Sequence, residues 1–143
     1  MSTSAEPRRP SPANMPARRP VAPVTTFLDL YLFGIDSSSL HAHHQLVAYG
    51  LAIHADADGE IPPQDQPRLI GLVHDTGLHA GQVAVALTAL RQRGWIRQTR
   101  RSDRYESADF RLAIPAQLEP RLRRRAAAHQ SQPTTTERTT TDA

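Results

Sequence analysis

A glycine at position 77 separates two short stretches whose apolar residues recur at helical spacing, and this arrangement limits the possible folds more than any other feature of the chain. Upstream, Leu69, Leu72 and Val73 form the inner stripe of a helix expected over residues 66–75. Pro67 suits its first turn, where a missing amide proton is not needed. Downstream, Val83, Ala86, Leu87 and Leu90 mark a helix over residues 80–93, which Gly94 ends. Gly77 stops the first of the pair because glycine takes a left-handed conformation at little cost. Neither helix is long enough to persist alone, so the two must share a core.

The flanking segments complete that core. Trp95-Ile96-Arg97-Gln98-Thr99-Arg100 has strand character, and residues 101–107 are polar and turn-like. Residues 109–114 alternate, with Phe110, Leu112 and Ile114 inward and Arg111 outward, which predicts a β-hairpin closed by Pro115. Before the pair, His43, Leu46, Val47, Gly50, Leu51 and His54 fall on one helical face. A serine among Ser37, Ser38 and Ser39 is expected to cap that helix. Asp56 to Gly59 breaks it, and Pro62-Pro63 prevents its resumption. The stretch Phe27-Leu28-Asp29-Leu30-Tyr31-Leu32-Phe33 suits either a first strand or a short helix, ended by Gly34 and the serines. Residues 118–128 read as a short Arg-rich helix.

Six of the 12 prolines lie in residues 1–23, which offer almost nothing to bury and are expected to form a disordered, partly polyproline-like arm. Residues 130–143 are Thr-rich and expected to be loose. The predicted division is therefore an arm over 1–23, a folded domain over 24–115, and an Arg-rich helix with a loose tail over 116–143. The fold class is α+β: a three-helix core with a C-terminal β-hairpin. No cysteine is present, which excludes disulfides, Cys-based zinc sites and thiol catalysis. The longest apolar runs, 46–53 and 27–35, fall far short of the roughly 20 residues a membrane span needs. The N-terminal segment has arginines but no apolar stretch after them, unlike a secretory signal. A soluble cytoplasmic protein is expected.

A helix pair joined by a short Gly-containing turn is the helix-turn-helix arrangement, whose second helix enters the major groove. The run Leu72-Val73-His74-Asp75-Thr76-Gly77-Leu78-His79-Ala80-Gly81-Gln82-Val83, continuing to Ala86-Leu87, Leu90 and Arg93-Gly94-Trp95-Ile96, resembles a winged helix-turn-helix. It is closest to the MarR-like and the plasmid or phage replication-initiator-like domains. His54-Ala55-Asp56-Ala57-Asp58-Gly59 resembles the connection between the first two helices of the initiator-like members. The resemblance covers about residues 40–115. It implies a DNA-binding protein, most simply a bacterial, plasmid or phage transcriptional regulator.

Charge is unevenly distributed. Residues 95–125 hold nine arginines against four acidic residues, whereas 41–94 hold three against five. All 17 basic residues are arginine, whose planar fork of donors suits phosphate. Arg97, Arg100, Arg101 and Arg104 are expected to contact the backbone or the adjacent minor groove of duplex DNA. Arg8, Arg9, Arg18 and Arg19 would add weak electrostatic attraction. In the resembling family the first turns of the recognition helix usually carry polar or basic residues. Here the hydrogen-bonding groups are His79, Gln82, Thr88, Arg91 and Gln92, among Ala80, Gly81, Ala84 and Val85. Gln82 can pair bidentately with adenine, and Ala84 or Val85 can touch a thymine methyl. Shape and phosphate contacts are expected to carry much of the binding. The alternative is a protein partner on the exposed Ala/Val face, the chain then being an interaction module of a replication or regulatory complex. A homodimer would match a symmetric operator, with residues 27–33 and the segment after Pro115 as candidate surfaces.

Other constellations have plainer readings. His41, His43 and His44 lie close together, but a metal site needs three or four ligands and no cysteine or nearby carboxylate completes one. Residues 54–65 resemble a calcium loop in spacing, yet His54 replaces the first acid and Asp65 the last glutamate, so a polar turn is expected. No nucleophile with an adjacent base and no Gly-rich phosphate loop occurs, so no enzyme activity and no cofactor are expected. Trp95 is expected to pack in the core. Tyr105 is expected on the exposed hairpin, its hydroxyl reaching sugar or phosphate, or simply solvated.

Overall fold

The glycine at 77 has a φ of 72°, in the left-handed region, and its N–H donates to the Val73 carbonyl (3.0 Å). A Cβ there would meet nothing within 4 Å, so the backbone angle alone demands glycine. The computed structural model describes residues 23–100 and 102–131. In chain order these form α1 (Phe27–Asp36), α2 (Ala42–Ala52), a 3-10 turn (Pro63–Asp65), α3 (Arg68–Thr76), α4 (Ala80–Arg93), β1 (Ile96–Arg100), β2 (Asp109–Leu112) and α5 (Glu119–Ser131). The fold is α+β: five α-helices with a two-stranded antiparallel hairpin. The helices α2, α3 and α4 each pack on the other two, and α4 runs directly into β1. The N-terminal arm with Arg8, Arg9, Arg18 and Arg19, then Arg101, and the Thr-rich tail from 132 onward lie outside the described residues.

The stretch open between strand and helix is the helix α1. Its start is fixed by Thr26, whose hydroxyl accepts from the Asp29 N–H (3.1 Å), while the Asp29 carboxylate accepts from the Thr26 N–H (3.2 Å). Burial pushes the Asp29 carboxyl up, but hydrogen bonds from Thr26 and Thr25 outweigh it and hold the group below its ordinary value. Leu30, Tyr31, Gly34 and Ile35 form the buried side of α1. Against it packs α5, through Leu122 and Ala126. The core therefore continues past Pro115. Residues 130 and 131, expected in the loose tail, belong to α5. The apolar sides of α1 and α5, both candidate dimer surfaces, meet each other within the chain.

Two local expectations are corrected. The cap of α2 is His41, whose Nδ1 accepts from the His43 N–H (3.1 Å), rather than a serine. Ser37 and Ser38 instead close α1, donating to the carbonyls of Phe33 (2.8 Å) and Ile35 (2.6 Å). The buried face of α2 is also not the expected one. Leu46 is 39% exposed, whereas Ala48 and Ala52 are buried with Val47, Gly50 and Leu51. Contact with α1, α3 and α4 at once turns a broader arc inward than a single stripe.

Helix α3 begins at Arg68, two residues later than expected, because Gln66 is engaged elsewhere. Its side-chain amide accepts from the Phe110 N–H (2.9 Å) and donates to the carbonyls of Phe110 (2.8 Å) and Ile61 (3.0 Å). The Leu112 N–H donates to the Gly59 carbonyl (2.9 Å). The edge of β2 away from β1 is thus satisfied by one side chain and one loop carbonyl. Gly59 has a φ of 83°, and a Cβ there would lie 2.4 Å from the Phe27 ring. Both its angle and its neighbour require glycine. Arg68 also has a positive φ, 56°, and places its Nε 3.7 Å from the Asp109 carboxylate.

Candidate nucleic-acid interface

Helix α4 buries Val83, Ala86, Leu87 and Leu90, which leaves the intervening residues outward. His79 precedes its first turn and is exposed, as are Ala80 and Gly81. Ala84 is half-buried, and Val85 is 63% exposed. The side chain of Gln82 is not free. Its Oε1 accepts from the His79 N–H (3.0 Å), so it caps the helix it belongs to. A bidentate pairing with adenine would share or break that cap.

Two contacts fix the β1–β2 hairpin to α4, and neither was visible in the spacing of residues. The Thr88 hydroxyl donates to the Ala84 carbonyl (3.0 Å) and therefore accepts from the Tyr105 hydroxyl. Tyr105 is half-buried and tilted against Phe110, with ring centroids 6.0 Å apart. Its hydroxyl thus turns to α4, neither reaching outward nor left to solvent. One turn further along α4, Arg91 Nη1 donates to Gln98 Oε1 (3.2 Å). Gln98 Nε2 in turn donates to the carbonyls of Arg100 (2.7 Å) and Ser102 (2.8 Å), which holds the end of β1.

Pairing within the hairpin sets where its arginines stand. Arg97 lies opposite Arg111, and Arg100 opposite Asp109, with a bulge between Gln98 and Arg100. Arg111 meets Glu60 (3.1 Å), and Asp109 is approached by Arg68 from α3. Arg97, Arg100 and Arg104 are exposed. Among the described residues no carboxylate lies within 4.0 Å of these three or of Arg91. Arg101 lies outside the described residues. Arg91 thus stands on α4, and Arg97, Arg100 and Arg104 on the hairpin docked to it; Arg97, opposite Arg111 and near Phe27, lies on the face of the ribbon away from Gln98. The geometry engages Thr88 and Gln82 locally, and leaves His79, Ala80 and Val85 outward.

Beside the N-terminal half of α4 lies a cavity of about 400 Å³, lined by His41, His43, His44, Gly81, Gln82 and Val85. The His41 ring centroid is 4.9 Å from that of His43 and 5.4 Å from that of His44. Burial first, then the nearby His41, Arg93 and His43, hold the His44 imidazole below its ordinary value. Among the described residues no group of three His, Cys, Asp or Glu side chains is arranged to hold a metal. Asp56 Oδ1 accepts from the N–H groups of Asp58 (2.9 Å) and Glu60 (3.0 Å), so the acidic loop is a turn closed by its own carboxylate. Trp95 is 3% exposed and meets Tyr31 edge-on, at 5.8 Å between ring centroids, as a core residue. Among the described residues no helix is long and apolar enough to cross a membrane.

Set against known proteins, the chain matches no family model, no curated protein and no solved structure.

Proposed function

We propose that this chain is a winged helix-turn-helix DNA-binding protein, acting in the cytoplasm as a transcriptional regulator of a bacterial, plasmid or phage system. Helix α4 lies in the major groove, and the hairpin is the wing that meets the backbone. The observation that carries the reading is the exposed arginines Arg97, Arg100 and Arg104, without carboxylate partners among the described residues, on a hairpin tied to α4 through the pairs Thr88 with Tyr105 and Arg91 with Gln98. A polyanion neutralises such a group and releases its own counterions, so Arg97, Arg100 and Arg104 supply affinity, with Arg101 beside them in sequence. Ala84 and Val85 supply thymine-methyl contacts, and the remaining selectivity comes from duplex shape. The chain performs no catalysis on the DNA it binds.

The test is a salt titration of duplex binding. Each phosphate contact removed should lower the slope of log K against log salt by about 0.9. Arg100→Ala with Arg104→Ala should therefore flatten it by about 2. An unchanged slope removes the wing from the interface. A second reading, a protein-binding module, is favoured by the 63% exposure of Val85 beside the histidine-lined cavity. In that case Val85→Glu abolishes capture of a partner and leaves duplex binding weak and unaltered.

A further inference from the structure

At the other end of α4 a second cavity, of about 440 Å³, opens between the last turn of that helix, the 37–40 loop and the start of α5. Three arginines line it: Arg93 from α4, and Arg121 and Arg125, one turn apart on α5. Among the described residues no acidic residue lines it. Among the described residues none of the three has a carboxylate within 4.0 Å, although Glu119 of α5 is close by and pairs with Arg123 instead (2.8 Å). Leu40, Trp95 and Leu122 form an apolar floor beneath them.

This placement runs against local electrostatics. A cation in the last turn of α4 favours the helix dipole, which accounts for Arg93. Arg121 has no such reason, because it stands in the first turn of α5, where a cation is disfavoured. Three guanidinium groups facing one cavity also repel one another. The loop adds no anionic compensation, since Ser37-Ser38-Ser39-Leu40 carries no acidic side chain. All three are exposed, so an anion entering the cavity meets three guanidinium groups directly.

We propose that this cavity binds a small molecule carrying adjacent phosphates, of the size of a nucleoside diphosphate. Three fixed positive charges call for a multiply charged anion; a single carboxylate would leave two of them uncompensated. The guanidinium fork matches phosphate oxygens in geometry. The volume lies in the range typical of small-molecule sites, roughly 300–1,000 Å³. The apolar floor suits the uncharged part of such a ligand. Bound there, the ligand joins α5 to the end of α4. This site does not depend on the DNA-binding reading.

The test uses the full chain with inorganic pyrophosphate and ADP as probes, read by thermal shift and titration calorimetry. Both should raise Tm saturably, ADP at lower concentration because it also covers the floor. Arg121→Gln with Arg125→Gln should weaken both at least tenfold, and Arg124→Gln, elsewhere on α5, by less than twofold. Without ligand, the double variant should melt higher than the parent, since repulsion is relieved; a merely structural pair of arginines would give the reverse. Should the double variant fail to fold, Arg93→Gln should by itself weaken pyrophosphate binding about tenfold. The proposal is overturned if neither probe binds, or if Arg124→Gln weakens binding as much as the double variant. It is equally overturned if Arg121 and Arg125 alter only the salt slope of duplex binding.

Discussion

The outward face of α4 and the hairpin beside it are opposites. The first half of the helix offers Ala80, Gly81, Ala84 and Val85, small and uncharged, while the hairpin offers Arg97, Arg100 and Arg104, with no carboxylate within 4.0 Å among the described residues. Before Arg91, the polar side chains of α4, Gln82 and Thr88, are turned to a cap and to Tyr105. The contrast separates strength of binding from selectivity. A charged ribbon attracts any duplex, and a smooth helix face reads only the methyl groups and width of a groove.

The largest expected effect removes the charged side of the contrast. Replacing Arg97, Arg100 and Arg104 together with alanine should lower duplex affinity about 10²- to 10³-fold at low salt and flatten the salt slope by about 3. A loss below tenfold would place the attraction elsewhere. Next comes the joint between the two regions. Thr88→Val leaves the half-buried Tyr105 hydroxyl unpaired and should cost about 1–2 kcal/mol in urea unfolding. Restoring stability with Tyr105→Phe in the same chain would confirm that the cost lies in the orphaned hydroxyl. Gly77→Ala forces a side chain into φ 72° and should destabilise by about 1 kcal/mol, with no clash to relieve. On the neutral face, Val85→Ala should change duplex affinity less than about threefold, since one lost methyl contact is worth little. A larger drop would mean α4 carries more of the binding than its chemistry suggests.

The smallest effect blurs the contrast by acid. The folded chain disfavours the charged form of His44, through burial and through the His41, Arg93 and His43 charges beside it. Its pKa is lower folded than unfolded. The stability it contributes is complete above its ordinary value of 6.5 and is lost as pH falls through the lowered folded value. His44→Gln should flatten that decline in a Tm-against-pH series. In the parent chain, duplex affinity should rise over the same interval as charge appears beside α4.

Much of the architecture was legible in the sequence, because strong punctuation surrounds it. Gly77 and Gly94 bracket α4, and its observed bounds, Ala80–Arg93, are those the spacing predicts. The alternation of Phe110 and Leu112 with Arg111 identified β2. What remained hidden depends on partners remote in the chain. Gln66 reaches Phe110 across 44 residues, and no local pattern announces a glutamine that serves a strand. The helical state of α1 was signalled by Thr26 and Asp29, three apart, a capping pair obscured by the β-capable residues that follow. In the site, the excess of arginine could be counted from the sequence. Which arginines escape a carboxylate, and that Thr88 is held by Tyr105, could not, since both follow from packing.

The amide of Gln66 has a consequence for how the molecule behaves in company. A two-stranded ribbon has two open flanks, and each invites a strand from another chain to add on. Gln66 and Gly59 seal the β2 flank with groups too short to be extended. The other flank belongs to β1, where Arg97 and Arg100 repel a second copy of themselves. Among the described residues no third strand shields the ribbon, and these two devices oppose the addition of a foreign one.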